Sequence, residues 1–589
     1  MGQHQRLVLL VPIAFFWASL LLLGLVAASA SSDFEHRGQG DSLHQPGLHS
    51  NVLQFGSGSE KGRLRMDPKP DLTNIKRVLE NKRERREKED IDSGKVFRLK
   101  QSVDRNSLRA ANVSKSGAGI LGTLSEEGLE YVKDVLVGEI LEEVTPLQIS
   151  DINSRINTPI GRIDTLISDI YLEGAAVYYS DIELTTYGVT IYAAGITATL
   201  EANWEYHYTA SYVPWPVGDG GRAEVKVHGM QAGVTFNLQE DNGTLRLVVD
   251  EAGTYIEDLE ITLRGGASWL YQWFIYAFDY NIRAAVEVTL TQQMVKGAEQ
   301  LDEWLLNLPR AVPIDDTSAI DVTVTHDPLL SPTYLSVGAK GQFVSLDKKN
   351  EYPEPYVELQ PGLFCDDSAK MVTIALSDYV LNSAAYVYYD SGELTWDVDD
   401  IPGKKYLNTA IWRYIIPKLY KKYPNEDMIL NFAVSSAPTV NITKDGIRAN
   451  AGADMTIEVK DGGDIVPVAC INLMVSFDAV AALNYANITG QATLDDLTLA
   501  LKWSEIGSFP VYLVQATVRT LVQDLVLPLI NISLKSGFPI PMVAGVEIID
   551  ADLRYEDGYL LVCTDIHYSG GYFSSQTQQK SIPERHSQQ

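Results

Sequence analysis

Apolar and polar residues alternate without a break through "ITATLEANWEYHY". Ile196, Ala198, Leu200, Ala202, Trp204, Tyr206 and Tyr208 fall on one face; Thr197, Thr199, Glu201, Asn203, Glu205 and His207 fall on the other. A period of two sustained this long predicts a single strand of about 43 Å at ~3.3 Å per residue, far past the usual five or six residues. Further strands read as "AEVKVHG", "GVTFNL", "TLRLVVDE" and "DLEITLRG", with turns at "GDGG" and "EDNGT". Before them Leu129, Val132, Leu136 and Ile140 recur at helical spacing, and Ser125 marks the helix start. After them, "GGASWLYQWFIYAF" opens a helical stretch from Ala267 to about Leu308. Between Trp269 and Phe278 its one strongly polar residue is Gln272. A helix apolar on nearly every side has to be covered by a protein core, a bilayer or a bound lipid.

The second half repeats this plan. "MVTIALSDYVLNSAAYVYYDSG" predicts a helix in which Leu376, Val380, Ser383 and Val387 are four, three and four apart. Strands "DMTIEVKD" and "ATLDDLTLALKW" follow. A long helix then runs from Val511 to about Leu534, with Val511, Val514, Val518, Leu521, Leu525 and Leu529 on one side. Short helices near 125 and 375, each followed by strands and then a long helix near 267 and 510, make an internal repeat of architecture.

Net charge changes the picture of partners. The chain of 589 residues carries −29. Residues 1–116 hold 19 Lys+Arg against 13 Asp+Glu, hence +6; residues 117–310 hold 10 against 29, hence −19; the remaining −16 lies beyond 310. Acidity on this scale argues against nucleic acid as a partner and against a surface built mainly to grip anionic headgroups. At the N-terminus Arg6, the apolar run Leu7 to Val26 and the small-residue site Ala28, Ser29, Ala30 read as a signal peptide over 1–30, with an uncleaved anchor as the alternative. No second run of that length and polarity is evident. Residues 31–116 read as a low-complexity, charge-mixed lead-in. Sequons at Asn112, Asn242, Asn441, Asn487 and Asn531 fit export and glycosylation. Cys365, Cys470 and Cys563 allow at most one disulfide and fit no zinc spacing.

No catalytic motif is found: G-x-S-x-G, H-E-x-x-H and G-x-x-x-x-G-K-[ST] are absent. His207, His228, His326 and His567 read as solvated or turn residues. "GAGILG" (Gly117 to Gly122) matches G-x-G-x-x-G without the βαβ context and reads as a flexible entry to the first domain. Acidic pairs near Asp315 and Asp397 to Asp400 lack regular oxygen spacing, so no metal and no cofactor are expected.

"GLEYVKDVLVGEILEEVTPLQISDI", "GGASWLYQW", "LNLPRAVPIDD", "LSDYVLNSAAYVYYDSGEL" and "LPLINISLKSGFPIPMVAGVEI" occur in order across both halves. The chain resembles the family of bactericidal/permeability-increasing proteins, lipopolysaccharide-binding proteins and cholesteryl ester transfer proteins, and most closely its plant branch. The resemblance covers roughly Leu121 to His567. It implies an α+β fold: a boomerang of two tubular lipid-binding barrels, each a long helix against a curved antiparallel sheet, joined by a central sheet. The barrels would occupy 117–310 and 361–568, the central sheet and linker 311–360, and a polar tail 569–589. It also implies a secreted, non-enzymatic protein that holds acyl chains in two apolar pockets. Its partners would be phospholipid or lipopolysaccharide, with a transient membrane contact and a role in innate defence; the alternative is phospholipid or sterol transfer with no microbial role. The residues expected against lipid are Val132, Leu136, Ile140, Trp269, Trp273 and Phe274 in the first barrel, and Leu376, Val380, Val387, Val518, Leu521 and Leu525 in the second. Vertebrate members brace the first barrel's helix with a disulfide. Here "VVDEAGTYIED" and "QQMVKGAEQLD" hold no cysteine, so that barrel is expected to hold by packing alone. Nor does its −19 supply the cationic tip that the family's lipopolysaccharide binders use.

Overall fold

A computed structural model describes residues 118–569, except 159–160, 186–187, 211–216, 266–271, 315–316, 348–351, 354–358, 361, 366–369, 400–406, 485–486, 537 and 540–545. Expectations for the signal peptide, the lead-in, the polar tail, Asn112 and Trp269 fall outside these residues.

Two antiparallel sheets of long strands flank a third. The first is eight-stranded and built around Gly161–Ala176, Gly188–Ala210, Val217–Asp241 and Thr244–Tyr255. The second is six-stranded and built around Met428–Thr443, Gly446–Asp461, Asp464–Asn484 and Asn487–Ser504. Between them a six-stranded sheet runs in the order Leu329–Ser331, Tyr334–Ala339, Ile120–Ser125, Val372–Ser377, Tyr559–Tyr568, Val546–Glu556. This central sheet therefore draws strands from both ends of the chain as well as its middle, which corrects its expected confinement to 311–360. From Ala118 on, "GAGILG" enters its interior: the strand Ile120–Ser125 pairs on both edges, and Gly119 N donates to Lys340 O at 3.2 Å. The expected flexible entry is thus a central strand, closed by Ser377 N donating to Gly119 O at 3.0 Å.

Alternation works as expected where one face is buried. From Ile196 to Trp204 the apolar set is buried in a strand of 23 residues. That strand is bulged where Gly195 adopts φ +64°, a conformation that favours glycine. Val189 lies before the bulge, in the core next to the central sheet; Ile196, Leu200 and Trp204 lie beyond it, in a separate core farther out. The neighbouring strand Val217–Asp241 divides the same way, with Phe236 and Leu238 on the inner side and Val225 and Val227 on the outer. At the tip of its hairpin Asn242 and Gly243 both take positive φ, as a tight Asn-Gly turn requires.

The helices close these sheets. α1 (Glu126–Glu143) starts where Ser125 accepts a hydrogen bond from Gly128 N at 3.2 Å. α2 (Gln272–Leu306) is 35 residues long and serves both cores of the first sheet, through Ile282, Val286 and Leu290 outward and Leu301 and Leu305 inward. α3 (Asp378–Ser391) follows Ser377, so Leu376 lies in the central sheet and not in the expected helix. Two short helices, α4 (Thr409–Trp412) and α5 (Pro417–Lys422), precede the second sheet. The last long helix is α6 (Tyr512–Leu521), a π segment Val522–Val526 and α7 (Leu527–Ser536). The π segment lengthens the repeat by one residue and rotates the apolar face. Val514, Val518 and Leu521 before it are buried, with Val522 beside them, whereas Leu525 is half-buried and Leu529 exposed, contrary to the regular 3.6-residue expectation. Tyr512–Ile532 is also long and apolar enough to cross a membrane by length and composition alone, which corrects the expectation of no second such run; its inner residues pack in the second barrel's core.

Packing is not the sole brace of the first barrel. Glu287 Oε1 accepts from Ile256 N at 2.8 Å, and Asp302 Oδ1 accepts from Leu247 N at 2.7 Å. Arg283 donates to Ile256 O at 2.6 Å. These side chains of α2 satisfy backbone groups along the sheet edge, and this overturns the expectation of packing alone. Glu287→Ala and Asp302→Ala are each expected to destabilise the barrel by about 1–3 kcal/mol through the orphaned N–H, read as a shift in urea midpoint.

Candidate functional site

An apolar cleft opens where α1, the C-terminal part of α2 and the inner half of the first sheet meet. Its walls are Leu129 and Val132 of α1, Leu301 and Leu305 of α2, Ile182, Val189, Phe236, Leu238 and Leu247 of the sheet, and Leu124 and Leu335 of the central sheet. The void it holds is about 30 Å³, so an acyl chain would enter only as these side chains move apart. Each wall residue arrives by a local rule. Leu129 and Val132 are three apart on α1, Leu301 and Leu305 four apart on α2, and Phe236 and Leu238 two apart on one strand face. Aliphatic and phenyl groups offer such a site no hydrogen bond. A guest there is held by dispersion and by loss of contact with water.

Polar groups stand beside the cleft. Lys133 is buried, and its Nζ reaches Glu130 at 2.5 Å, Asp134 at 3.1 Å and Ser180 O at 3.2 Å. Burial alone would lower its pKa; the hydrogen bonds and charges of Glu130 and Asp134 more than offset this and raise it. Tyr179 donates to Asp181 Oδ2 at 2.5 Å, and burial together with that carboxylate pushes its phenol up to about 12. Lys133 thus stays charged and ties α1 to the strand Tyr179–Thr185. Among the described residues no three His, Cys, Asp or Glu side chains gather as metal ligands.

Of the residues expected against lipid, Val132 lines the cleft and Leu136 lies in the core around it. Ile140 does not: it is 39% exposed, although its spacing from Leu136 is helical. Trp273 and Phe274 begin α2, but their side chains lie outside the described residues. Leu376, Val380 and Val387 are buried in the same inner core as Val132. Val518 and Leu521, with half-buried Leu525 against them, belong to a different core under the second sheet. The expected pairing of α3 with the last long helix in one pocket is therefore not formed. Sequence reasoning missed Leu301 and Leu305, which continue the helical spacing of α2 beyond its aromatic start, and Phe236 and Leu238, which continue the alternation of "GVTFNL".

Two sequons lie on exposed backbone: Asn242 at a hairpin tip and Asn441 on a strand face. Asn487 opens a strand, its side chain outside the described residues. Asn531 instead clamps α7 to the sheet, its Oδ1 accepting from Ala492 N at 2.7 Å and its Nδ2 donating to Ala492 O at 3.0 Å. A glycan on that nitrogen would have to displace the clamp.

Comparison with known proteins adds independent support for this architecture. The profile of the LBP/BPI/CETP family N-terminal domain matches residues 128–299, and that of its C-terminal domain matches residues 312–568. The chain belongs to the LBP/BPI/CETP family. It is 37% identical to a putative BPI/LBP family protein of Arabidopsis thaliana over 76% of this chain and 91% of that one. It is 24% identical to a bactericidal permeability-increasing protein of Sebastes schlegelii, over 77% of this chain and 96% of that one. A solved lipopolysaccharide-binding protein superposes with a TM-score of 0.51 at 22% identity, covering 77% of this chain and all of that one. Both halves of the LBP/BPI/CETP fold are present, as the motif order implied, and the cleft lies in the N-terminal half. Proteins of this family bind and transfer lipids, with no chemistry required of their side chains.

Proposed function

We propose that the protein is an exported, non-enzymatic lipid carrier that holds phospholipid acyl chains against the inner faces of its two barrels. The observation that carries this reading is the wholly aliphatic and phenyl lining of the cleft at Val132, Phe236 and Leu305. A sixteen-carbon chain gains roughly 12 kcal/mol gross from burial at ~0.8 kcal/mol per methylene, enough to compete with a bilayer without catalysis. Family membership supports a lipid ligand, and relatives named for lipopolysaccharide binding make that amphiphile the second reading, with a role in innate defence. The charge of −19 over residues 117–310 favours phospholipid over lipopolysaccharide for the first barrel, since a polyanionic headgroup needs cations there. Native mass spectrometry of the secreted protein, followed by solvent extraction, tests the proposal. Two phospholipid-sized adducts per chain are expected. A bare mass, with no uptake from phospholipid vesicles or lipopolysaccharide, sinks it.

A further inference from the structure

The second sheet has an end that points away from the central sheet. Its near end is fastened there: Gly558 N donates to Ile442 O at 2.9 Å, and Tyr555 Oη donates to Ala481 O at 2.7 Å. At the far end, where the strands Met428–Thr443 and Asp464–Asn484 begin and Gly446–Asp461 ends, α4 and α5 form a plug. Met428 N donates to Leu407 O at 2.8 Å and Thr409 N to Glu426 O at 2.9 Å, which stitches the plug to the first strand. Trp412, Ile416 and Leu419 drive inward and are buried in the barrel core. The helical and turn spacing that buries those three leaves Arg413, Lys418, Lys421 and Lys422 outside, all exposed.

From Leu407 to Asn425 the chain carries these four cations and no carboxylate, in a protein of net charge −29. Among the described residues the ion pairs of this half are made by other cations, among them Lys370, Lys444, Arg448 and Lys502. Apolar groups share the face: Tyr414 is 79% exposed and Ile411 44%. Arg413 lies over the Tyr414 ring at 4.5 Å and Lys422 over the Tyr423 ring at 5.2 Å, so two cationic heads are held on aromatic supports. A face that served solubility alone would gain nothing from an exposed tyrosine and isoleucine. Cations interleaved with an aromatic and an aliphatic group suit the boundary of an anionic bilayer, where rings and methyls enter the headgroup layer and lysines meet its charge.

We propose that this end of the second barrel docks end-on against an anionic lipid surface, with Arg413, Lys418, Lys421 and Lys422 as its contacts. The purpose of the docking rests on the lipid-carrier reading above; the docking itself does not. The acidic remainder of the molecule is repelled by the same surface, which fixes the orientation. Glu426, Asp427, Asp461 and Asp464 stand at the same end and limit attachment to densely anionic surfaces.

The test is flotation of the full chain with vesicles of phosphatidylcholine alone and of phosphatidylcholine mixed with phosphatidylglycerol. Binding is expected only to the mixed vesicles and fades as salt is raised. Each cation at such a surface multiplies partitioning about fivefold, so Lys418→Gln/Lys421→Gln/Lys422→Gln is expected to weaken binding on the order of a hundredfold. Tyr414→Ala should weaken it at constant salt dependence, because it removes the inserted ring and no charge. All these positions are exposed, and circular dichroism confirms folding of each variant. Equal binding of the triple variant and the parent, or a parent that prefers phosphatidylcholine, overturns the proposal. Native mass spectrometry with detergent-dispersed phospholipid separates the two ideas. A triple variant that still loads lipid but no longer floats supports docking. A parent that floats but never loads lipid keeps the docking and ends the carrier reading.

Discussion

Val132→Trp is expected to empty the first barrel of lipid while leaving the second loaded. Val132 is 1% exposed on the wall of the cleft, facing Leu301, Leu305 and Phe236 across it. An indole in place of an isopropyl group occupies the space an acyl chain would take. Overpacking of a filled core costs about 1–3 kcal/mol, and a void of about 30 Å³ relieves only a small part of it. The loss to the lipid is far larger, since the roughly 12 kcal/mol gross from a sixteen-carbon chain depends on a site that excludes water along its length. Native mass spectrometry should therefore show one phospholipid-sized adduct fewer, with a thermal midpoint lowered by the overpacking but a chain that still folds. Val518→Trp, in the separate core under the second sheet, is the matched control and should leave the first barrel's adduct in place. If Val132→Trp stays folded and carries the same lipid as the parent, the cleft is plain core.

The residues that carry this prediction differ in how well the sequence exposed them. Ile196 to Trp204 and Leu129 to Leu136 lie on elements with one buried face, where a regular period identifies the inward set. Ile140 failed because periodicity gives a helix face but not how far along the helix that face stays covered. Leu529 failed because a single π segment at Val522–Val526 shifts the phase of everything after it. Leu376 and Val380 are four apart and both buried, yet one is on a strand and the other on α3, with Ser377 at the junction donating its hydroxyl to Gly119 O at 2.9 Å. Short apolar runs do not separate these cases by pattern. The central sheet was the least legible element, since pairing of Ile120–Ser125 with Tyr334–Ala339 and Val372–Ser377 is long-range and leaves no local mark. Nothing in the pattern around Glu287 and Asp302 separates them from solvated helix residues, and only the sheet edge beside them gives them a task.

Loss of the Cys365–Cys563 bond is expected to cost about 5 kcal/mol, the largest stability effect of any single covalent change. The two residues are 198 apart in sequence, with Cα atoms separated by 6.1 Å. In the chain-entropy account a closed loop of a hundred residues or more restricts the unfolded chain by roughly 5 kcal/mol, toward the upper end of the usual 2–5 for native bonds. The bond joins the segment before the strand Val372–Ser377 to the strand Tyr559–Tyr568, so it fixes the C-terminal part of the chain to the central sheet. Both sulfurs are buried among Leu121, Leu359, Ala375 and Leu561. The double variant Cys365→Ala/Cys563→Ala avoids a stranded thiol and should unfold at markedly lower urea. The slope of unfolding should also change, because the unlinked denatured chain exposes more surface. Cys470 is buried and free, and burial pushes its thiol pKa up, so Cys470→Ala should leave the non-reducing peptide map unchanged. A map that yields Cys470 in a disulfide would refute this pairing. A map that yields Cys365 joined to Cys563 would agree with export, since such bonds persist in oxidising compartments and are rare in the cytosol.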